Sequence, residues 1–261
     1  MNLNEAVAIV TGAARGLGRA TAIRMAKSGA KVALVDKLEM ELQSVREEIS
    51  RGDGTAEIFV TDLLDAKAID ALAPAVMEKW GQIDIMANIA GAWYSADKSF
   101  IGEMLWENSV EEIDVMLGVN IRAPLLLCRS IIPYMIEHGQ GKIFTIGGEW
   151  SDAGVGWLCY MLGKEIQKSL SSALALEVRK HNIQVYCISP GDIASEAQKG
   201  FWPEIAKVAV PPEEIAELII FICENNAGNY MSGGSFPIGP GNIIYDFGQF
   251  ITVDGKTGAV R

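Results

Sequence analysis

Short β-branched apolar runs alternate along this chain with longer stretches of helical period. Strands are predicted at 6–10, 31–35, 56–60, 83–87, 142–146, 183–188 and 235–238. Between them a 3.6-residue period predicts helices at 16–28, 39–50, 65–80, 110–138, 159–181 and 212–224. The strand runs are apolar at nearly every position rather than at alternate ones, the pattern of strands covered on both faces. Regular strand–helix alternation builds βαβ units. Right-handed crossovers then close them into an α/β fold, a single doubly wound parallel sheet with helices on both faces. Residues 91–109 and 192–210 lack a clear period and follow strand ends, where open α/β sheets bind ligands, so they are read as substrate loops. No linker, repeat or low-complexity block divides the chain, so residues 1–261 are read as one domain. The tail at 243–261 is longer than such a fold needs and is free to reach a neighbouring subunit.

Composition narrows the partners. The 261 residues are 49% apolar, enough for a substantial core. A formal net charge of −11 repels phosphate backbones and anionic lipid heads, which argues against nucleic-acid and membrane partners. The start, MNLNEAVAIVTG, has no basic segment followed by an apolar one, and no apolar run reaches about 18 residues. The longest candidate, 125–136, is interrupted by Arg129 and Ser130. A cytoplasmic location is therefore expected. Cys128, Cys159, Cys187 and Cys223 are far apart and read as reduced, buried thiols. His138 and His181 fall near helix ends and read as C-terminal charge, and no cluster has zinc spacing, so no metal is expected.

The chemistry begins after the first strand. Thr11-Gly12-Ala13-Ala14-Arg15-Gly16-Leu17-Gly18 leads into a helix. Glycines at 12, 16 and 18 allow a tight turn, close approach of backbone to a pyrophosphate, and close helix–strand packing, while the helix N-terminus offers free N–H groups. Asp36 closes the next strand, 18 residues beyond Gly18. Its carboxylate can accept both hydrogens of a ribose diol and would repel a 2′-phosphate, which favours NAD over NADP. Arg15 and Lys37 are the basic residues that could argue the other way. Asp62, after the third strand, is placed either to meet the adenine edge or to cap the following helix, and Leu63 adjoins it. Tyr160 and Lys164, at i and i+4, share a helix face. A nearby ammonium stabilises phenolate, so the tyrosine pKa is expected to fall toward working pH, where Tyr160 could exchange a proton with an alcohol or carbonyl.

With these segments in order, the chain resembles the short-chain dehydrogenase/reductase family over essentially its whole length. TGAARGLG resembles the family's TGxxxGxG loop, and Asn88-Ile89-Ala90-Gly91 its NNAG element, with Ile89 in place of the second Asn. Tyr160-Met161-Leu162-Gly163-Lys164 matches YxxxK. Ser189-Pro190-Gly191-Asp192-Ile193-Ala194-Ser195 is similar to PG-x-I-x-T, with Ser195 in the threonine position. The resemblance implies a Rossmann fold and an oxidoreductase with catalytic Tyr160, Lys164 and Asn120, the Asn holding a water that links Lys164 to solvent. It implies a cofactor cradle of Gly12, Arg15, Gly16, Leu17, Gly18, Asp36, Asp62, Leu63, Asn88, Ala90, Gly91, Tyr160, Lys164, Pro190, Gly191, Ile193 and Ser195. Lys164 would also hold the nicotinamide ribose, and Ile193 and Ser195 would meet the carboxamide. The apolar helices 110–138 and 159–181 resemble those that assemble family members, so a homotetramer or homodimer is implied.

One departure bears on activity. The family's serine after the fifth strand falls here on Gly147 or Gly148, within Gly147-Gly148-Glu149-Trp150-Ser151. Ser151, a protonated Glu149, a water or a glycine N–H would have to replace its hydroxyl. Losing one such donor typically costs on the order of 10²–10³ in rate. The expected function is NAD-dependent interconversion of a secondary alcohol and a ketone. The alternative is a degenerate NAD-binding subunit that supports a homologous active subunit, or a sensor. The substrate pocket is expected from Gly147, Gly148, Glu149, Trp150 and Ser151 with Trp93, Trp157 and Trp202, which suits a hydrophobic or cyclic substrate.

Overall fold

The computed structural model describes residues 1–95, 98–148, 154–225, 231–239, 243–246, 249–252 and 257–259. Seven parallel strands form the body of the sheet. They are β1 (Val7–Thr11), β2 (Lys31–Asp36), β3 (Thr55–Val60), β4 (Ile85–Asn88), β5 (Gly141–Ile146), β6 (Ile183–Pro190) and β7 (Ser235–Gly239), in the spatial order β3-β2-β1-β4-β5-β6-β7. The chain winds outward from β1 to β3, then returns to place β4 on the other side of β1. The strand order reverses there, so the β1–β4 junction opens a crevice at the C-terminal strand ends.

Helices cover both faces. On one side α1 (Gly16–Lys27), α2 (Glu39–Arg51) and α9 (Pro212–Glu224) pack Met25, Leu42, Ile49 and Ile219 onto Ala8, Val10, Leu34 and Phe144. On the other, α3 (Ala66–Trp80), α5 (Ala123–His138) and α6 (Leu158–Val178) pack Ile69, Val76, Ile131, Met135 and Leu174 onto Val7, Ile9, Val35 and Ile143. Successive strand residues feed opposite cores, the physical reason their sequence reads as a continuous apolar run.

The predicted helix at 110–138 differs in detail. It consists of α4 (Val110–Leu117), a π-helical turn (Gly118–Arg122) and α5. Ser109 and Glu112 close a capping box at its start. The wide turn sets Asn120 inward, as such single-turn bulges often do at functional sites. By length and hydropathy this element could cross a bilayer, but Leu127, Ile131 and Met135 are core residues of the sheet. In the predicted loop 192–210 lie two short helices, α7 (Glu196–Phe201) and α8 (Pro203–Ala206). The tail folds back on its own chain: β8 (Ile243–Asp246), β9 (Gln249–Thr252) and β10 (Thr257–Ala259) extend the sheet antiparallel from β7. Cys128, Cys159, Cys187 and Cys223 are free and buried, as expected.

Phe144 sits fully buried in central β5 with its ring stacked on Tyr186 at 5.2 Å. Phe144→Ala leaves a cavity between sheet and α9 and is expected to cost about 3–5 kcal/mol in urea denaturation. The exposed Met40→Ala should stay within about 0.5 kcal/mol of wild type.

Candidate active site

A cleft of about 1190 Å³ lies over the C-terminal strand ends. Its floor begins at the β1–α1 turn. Gly12 adopts φ +69°, and a Cβ there would stand 3.0 Å from Ala90 Cα. A Cβ at Gly18 would collide with the Gly12 carbonyl. The Thr11 hydroxyl accepts from the Ile89 and Ala90 amides (3.0 and 3.2 Å) and donates to the Ala87 carbonyl, tying the end of β4 to β1. This close-packed turn, opening onto the first turn of α1, fits a diphosphate approached by backbone N–H groups. At the end of β2, Asp36 is braced by the Lys37 amide (2.7 Å) and by the Leu38 and Ala14 amides. Arg15 turns aside to pair with Glu41 at 2.6 Å.

At the other end, Lys164 is buried and donates to the Ile146 carbonyl (3.1 Å), with its Nζ 5.3 Å from the centre of the Tyr160 ring. Two glycines let the neighbouring elements close in. A Cβ at Gly91 would meet Asn120 Oδ1 at 3.2 Å and Lys164 Nζ at 3.5 Å, and one at Gly163 would meet Asn120 Cβ at 2.7 Å. Asn120 itself brackets the Ala92 backbone, accepting from its N–H (3.1 Å) and donating to its carbonyl (2.7 Å), while Gln167 bonds the Asn120 carbonyl.

The electrostatics correct one expectation. Burial, aided by the nearby Asp192 carboxylate, holds the Tyr160 phenol above its ordinary value rather than below it. Burial also lowers Lys164 to about 8. Desolvation is the larger cause for both groups, because burial disfavours the charged form of each.

The chain matches the family model for short chain dehydrogenases over residues 6–206. This protein belongs to the short-chain dehydrogenase family. It is 28% identical over 245 residues to 2,3-dihydro-2,3-dihydroxybenzoate dehydrogenase of Bacillus subtilis (strain 168), covering 85% of this chain and 90% of that one. A solved 7α-hydroxysteroid dehydrogenase, complexed with NADH and 7-oxo glycochenodeoxycholic acid, superposes with a TM-score of 0.82 at 27% identity, over 92% of this chain and 96% of that one. A metagenomic short-chain oxidoreductase in complex with NADP gives 0.76 at 29% identity, over 90% and 96%. The family is one of oxidoreductases, and its solved neighbours carry pyridine nucleotides of both kinds.

Most of the residues anticipated for this short-chain dehydrogenase meet at the cleft. Gly12, Arg15, Gly16, Leu17, Gly18, Asp36, Leu63, Ala90, Gly91, Tyr160, Lys164, Pro190, Gly191, Ile193 and Ser195 line it, as do Gly147, Gly148, Trp93, Trp157 and Trp202. Three anticipated residues do not. Asn88 is buried beneath the floor against Cys128, and Asn120 stands behind Gly91. Asp62 is exposed and accepts from the Leu64 amide, whereas the cap of α3 is Asp65. Ser195 caps α7, accepting from the Gln198 amide. Glu149, Trp150 and Ser151 lie outside the described residues.

Geometry separates the two glycines left open by sequence. A Cβ at Gly147 would crowd Ser189 Oγ at 2.6 Å and Cys187 Sγ at 2.8 Å. One at Gly148 would have as its nearest neighbours Lys164 Cβ at 3.3 Å, Lys164 Cγ at 3.4 Å and Met161 Cε at 3.7 Å. Gly148 is therefore the position with room to present a side chain beside Lys164. Thr11 and Gly163 were anticipated only as members of their motifs, and Glu196 was not anticipated. The Glu196 carboxylate accepts from the Gly16 amide (3.1 Å) at the start of α1, and its acidic neighbourhood to Ser195 was the available signal.

A folded-state pKa of about 8 for Lys164, below the usual 10.5, means the unfolded chain binds the proton more tightly. The cost to stability is therefore complete below about pH 8 and fades as pH rises toward the unfolded value. Lys164→Met should raise unfolding stability at pH 7 by about 1–3 kcal/mol, net of the bond lost at Ile146. Chemical denaturation repeated at pH 10 should show a smaller gain.

Proposed function

We propose that this protein is an NAD-dependent oxidoreductase interconverting a secondary alcohol and a ketone on a hydrophobic or cyclic substrate. The observation that carries the reading is the convergence of Tyr160 and Lys164 on the cleft that begins at the Gly12–Gly18 turn. A bound nicotinamide would take the hydride from the carbinol carbon, or return it to the carbonyl carbon. Tyr160 takes or gives the proton on the reacting oxygen. A phenol held above its ordinary pKa carries that proton at neutral pH, the form suited to donating to a reduced carbonyl. Lys164 holds the nicotinamide ribose and keeps positive charge beside the phenol. Gly12, Gly16 and Gly18 take the diphosphate, and Gly191, Ile193 and Ser195 flank the nicotinamide end.

Two contacts support NAD over NADP. Asp36 presents a fixed carboxylate where a 2′-phosphate would sit, and Arg15 is neutralised by Glu41. Exposed Leu125 on α5 and Leu162 and Leu176 on α6 support a homo-oligomer, and we assign it to the cytoplasm. A second reading, a degenerate subunit or sensor that binds NAD without turnover, is favoured by the glycine at 148. That position offers no hydroxyl to the reacting oxygen.

Isothermal titration should give a Kd for NAD at least about 10-fold below that for NADP, and Asp36→Ala should shrink the gap, since a repelled phosphate is worth one or more charge-assisted contacts. Tyr160→Phe should lower turnover of secondary alcohols by about 10²–10⁴ without changing the Kd for NAD. Turnover unaffected by Tyr160→Phe refutes the assigned role. An isolated wild-type chain that binds NAD yet turns over no alcohol or ketone decides for the second reading.

A further inference from the structure

Three indoles from three segments meet at the Tyr160 end of the cleft. Trp202 stacks on Trp93 (ring centres 5.2 Å apart, planes 16° apart) and on Trp157 (5.9 Å, 22°). Trp157 in turn sets its ring edge-to-face with Tyr160 at 6.1 Å. Trp93 belongs to the loop after β4, Trp157 precedes α6, and Trp202 joins the short helices α7 and α8. All three line the cleft.

Near-parallel stacking is specific to flat π-systems. Puckered saturated rings of the same size make poorer face contact and lack the quadrupole that favours offset stacking. The segment that carries Trp202 also carries Glu196, whose carboxylate rests on the Gly16 amide at the diphosphate end of the cleft. One stretch of chain thus sets an anion on the phosphate cradle and a planar ring beside the reacting tyrosine. At each end the internal group has the chemistry of the ligand group for which the position is built.

We propose that Trp93 and Trp157 form the ring site for substrates with a planar aromatic ring next to the carbinol or ketone carbon, and that Trp202 fills this site until such a ring displaces it. The proposal rests on Tyr160 being the reacting group. It narrows the substrate from hydrophobic or cyclic to flat and aromatic.

The test compares 1-(2-naphthyl)ethanol with its fully saturated decalin analogue, using the full chain with NAD bound. Kd is measured by titration calorimetry and turnover by NADH absorbance. Two stacked faces predict Kd for the naphthyl alcohol roughly 10-fold or more below that of the decalin alcohol. Trp93→Leu and, independently, Trp157→Leu should each reduce that preference severalfold. Trp202→Leu should tighten naphthyl binding by removing the internal competitor. Equal affinity for the two alcohols in wild type, or binding of neither, overturns the proposal without requiring any variant to fold. Weaker naphthyl binding in Trp202→Leu also overturns it, because Trp202 would then be a wall of the site. Preferential naphthyl binding with no NADH formed leaves the ring site standing and removes the catalytic reading. NADH formed equally well from both alcohols, with equal affinities, does the reverse.

Discussion

Everything at this site depends on how closely the β1–α1 turn can approach the end of β4. Gly12 lies against Ala90, Gly18 against the Gly12 carbonyl, and the Thr11 hydroxyl binds two amides beyond β4. No side chain fits between these backbones. That closeness holds the reversal of strand order narrow, points the first turn of α1 into the crevice, and brings Gly91 to where Asn120 and Lys164 can reach it. A larger residue at 12 or 18 would push α1 off the sheet and widen the seam, and the cradle and the Tyr160 end would lose their relation to one another.

The second constraint is electrostatic. The fold buries an ammonium at the wall of the cleft, where it donates to one carbonyl and lies against an aromatic face. That arrangement costs folding stability, while the adjoining phenol is raised by its own burial and by the Asp192 carboxylate. Lys164 nevertheless lines the cleft. The contrast with Lys142 is instructive. It too is buried, but it caps the last carbonyls of α9 at Ile222 and Cys223, a structural use that explains it fully.

Much of this was legible in the chain. Strands and helices followed from periodicity because both sheet faces are covered, which makes strand residues uniformly apolar and the helices amphipathic. The close-packed β1–α1 turn followed from glycines at 12 and 18, because a tight turn and a close approach are local requirements. The π-helical turn at Gly118–Arg122 was not legible, since helical period alone cannot register one extra residue in a turn. Nor were the antiparallel strands of the tail, whose pairing with β7 depends on which edge is left open.

The sequence by itself determined the fold class, the order of the motifs and the residue types available for chemistry, because these depend on spacing within single elements. Tertiary structure alone decided the rest. It separated Gly148 from Gly147 by what stands opposite each, turned Arg15 toward Glu41, set Asn120 behind the cleft wall, and reversed the expected direction of the Tyr160 pKa. It also gathered three tryptophans, more than 100 residues apart from first to last, into one stack. The physical reason is the same in each case. Burial, space and orientation are set by chain segments distant in sequence, and no local pattern carries them.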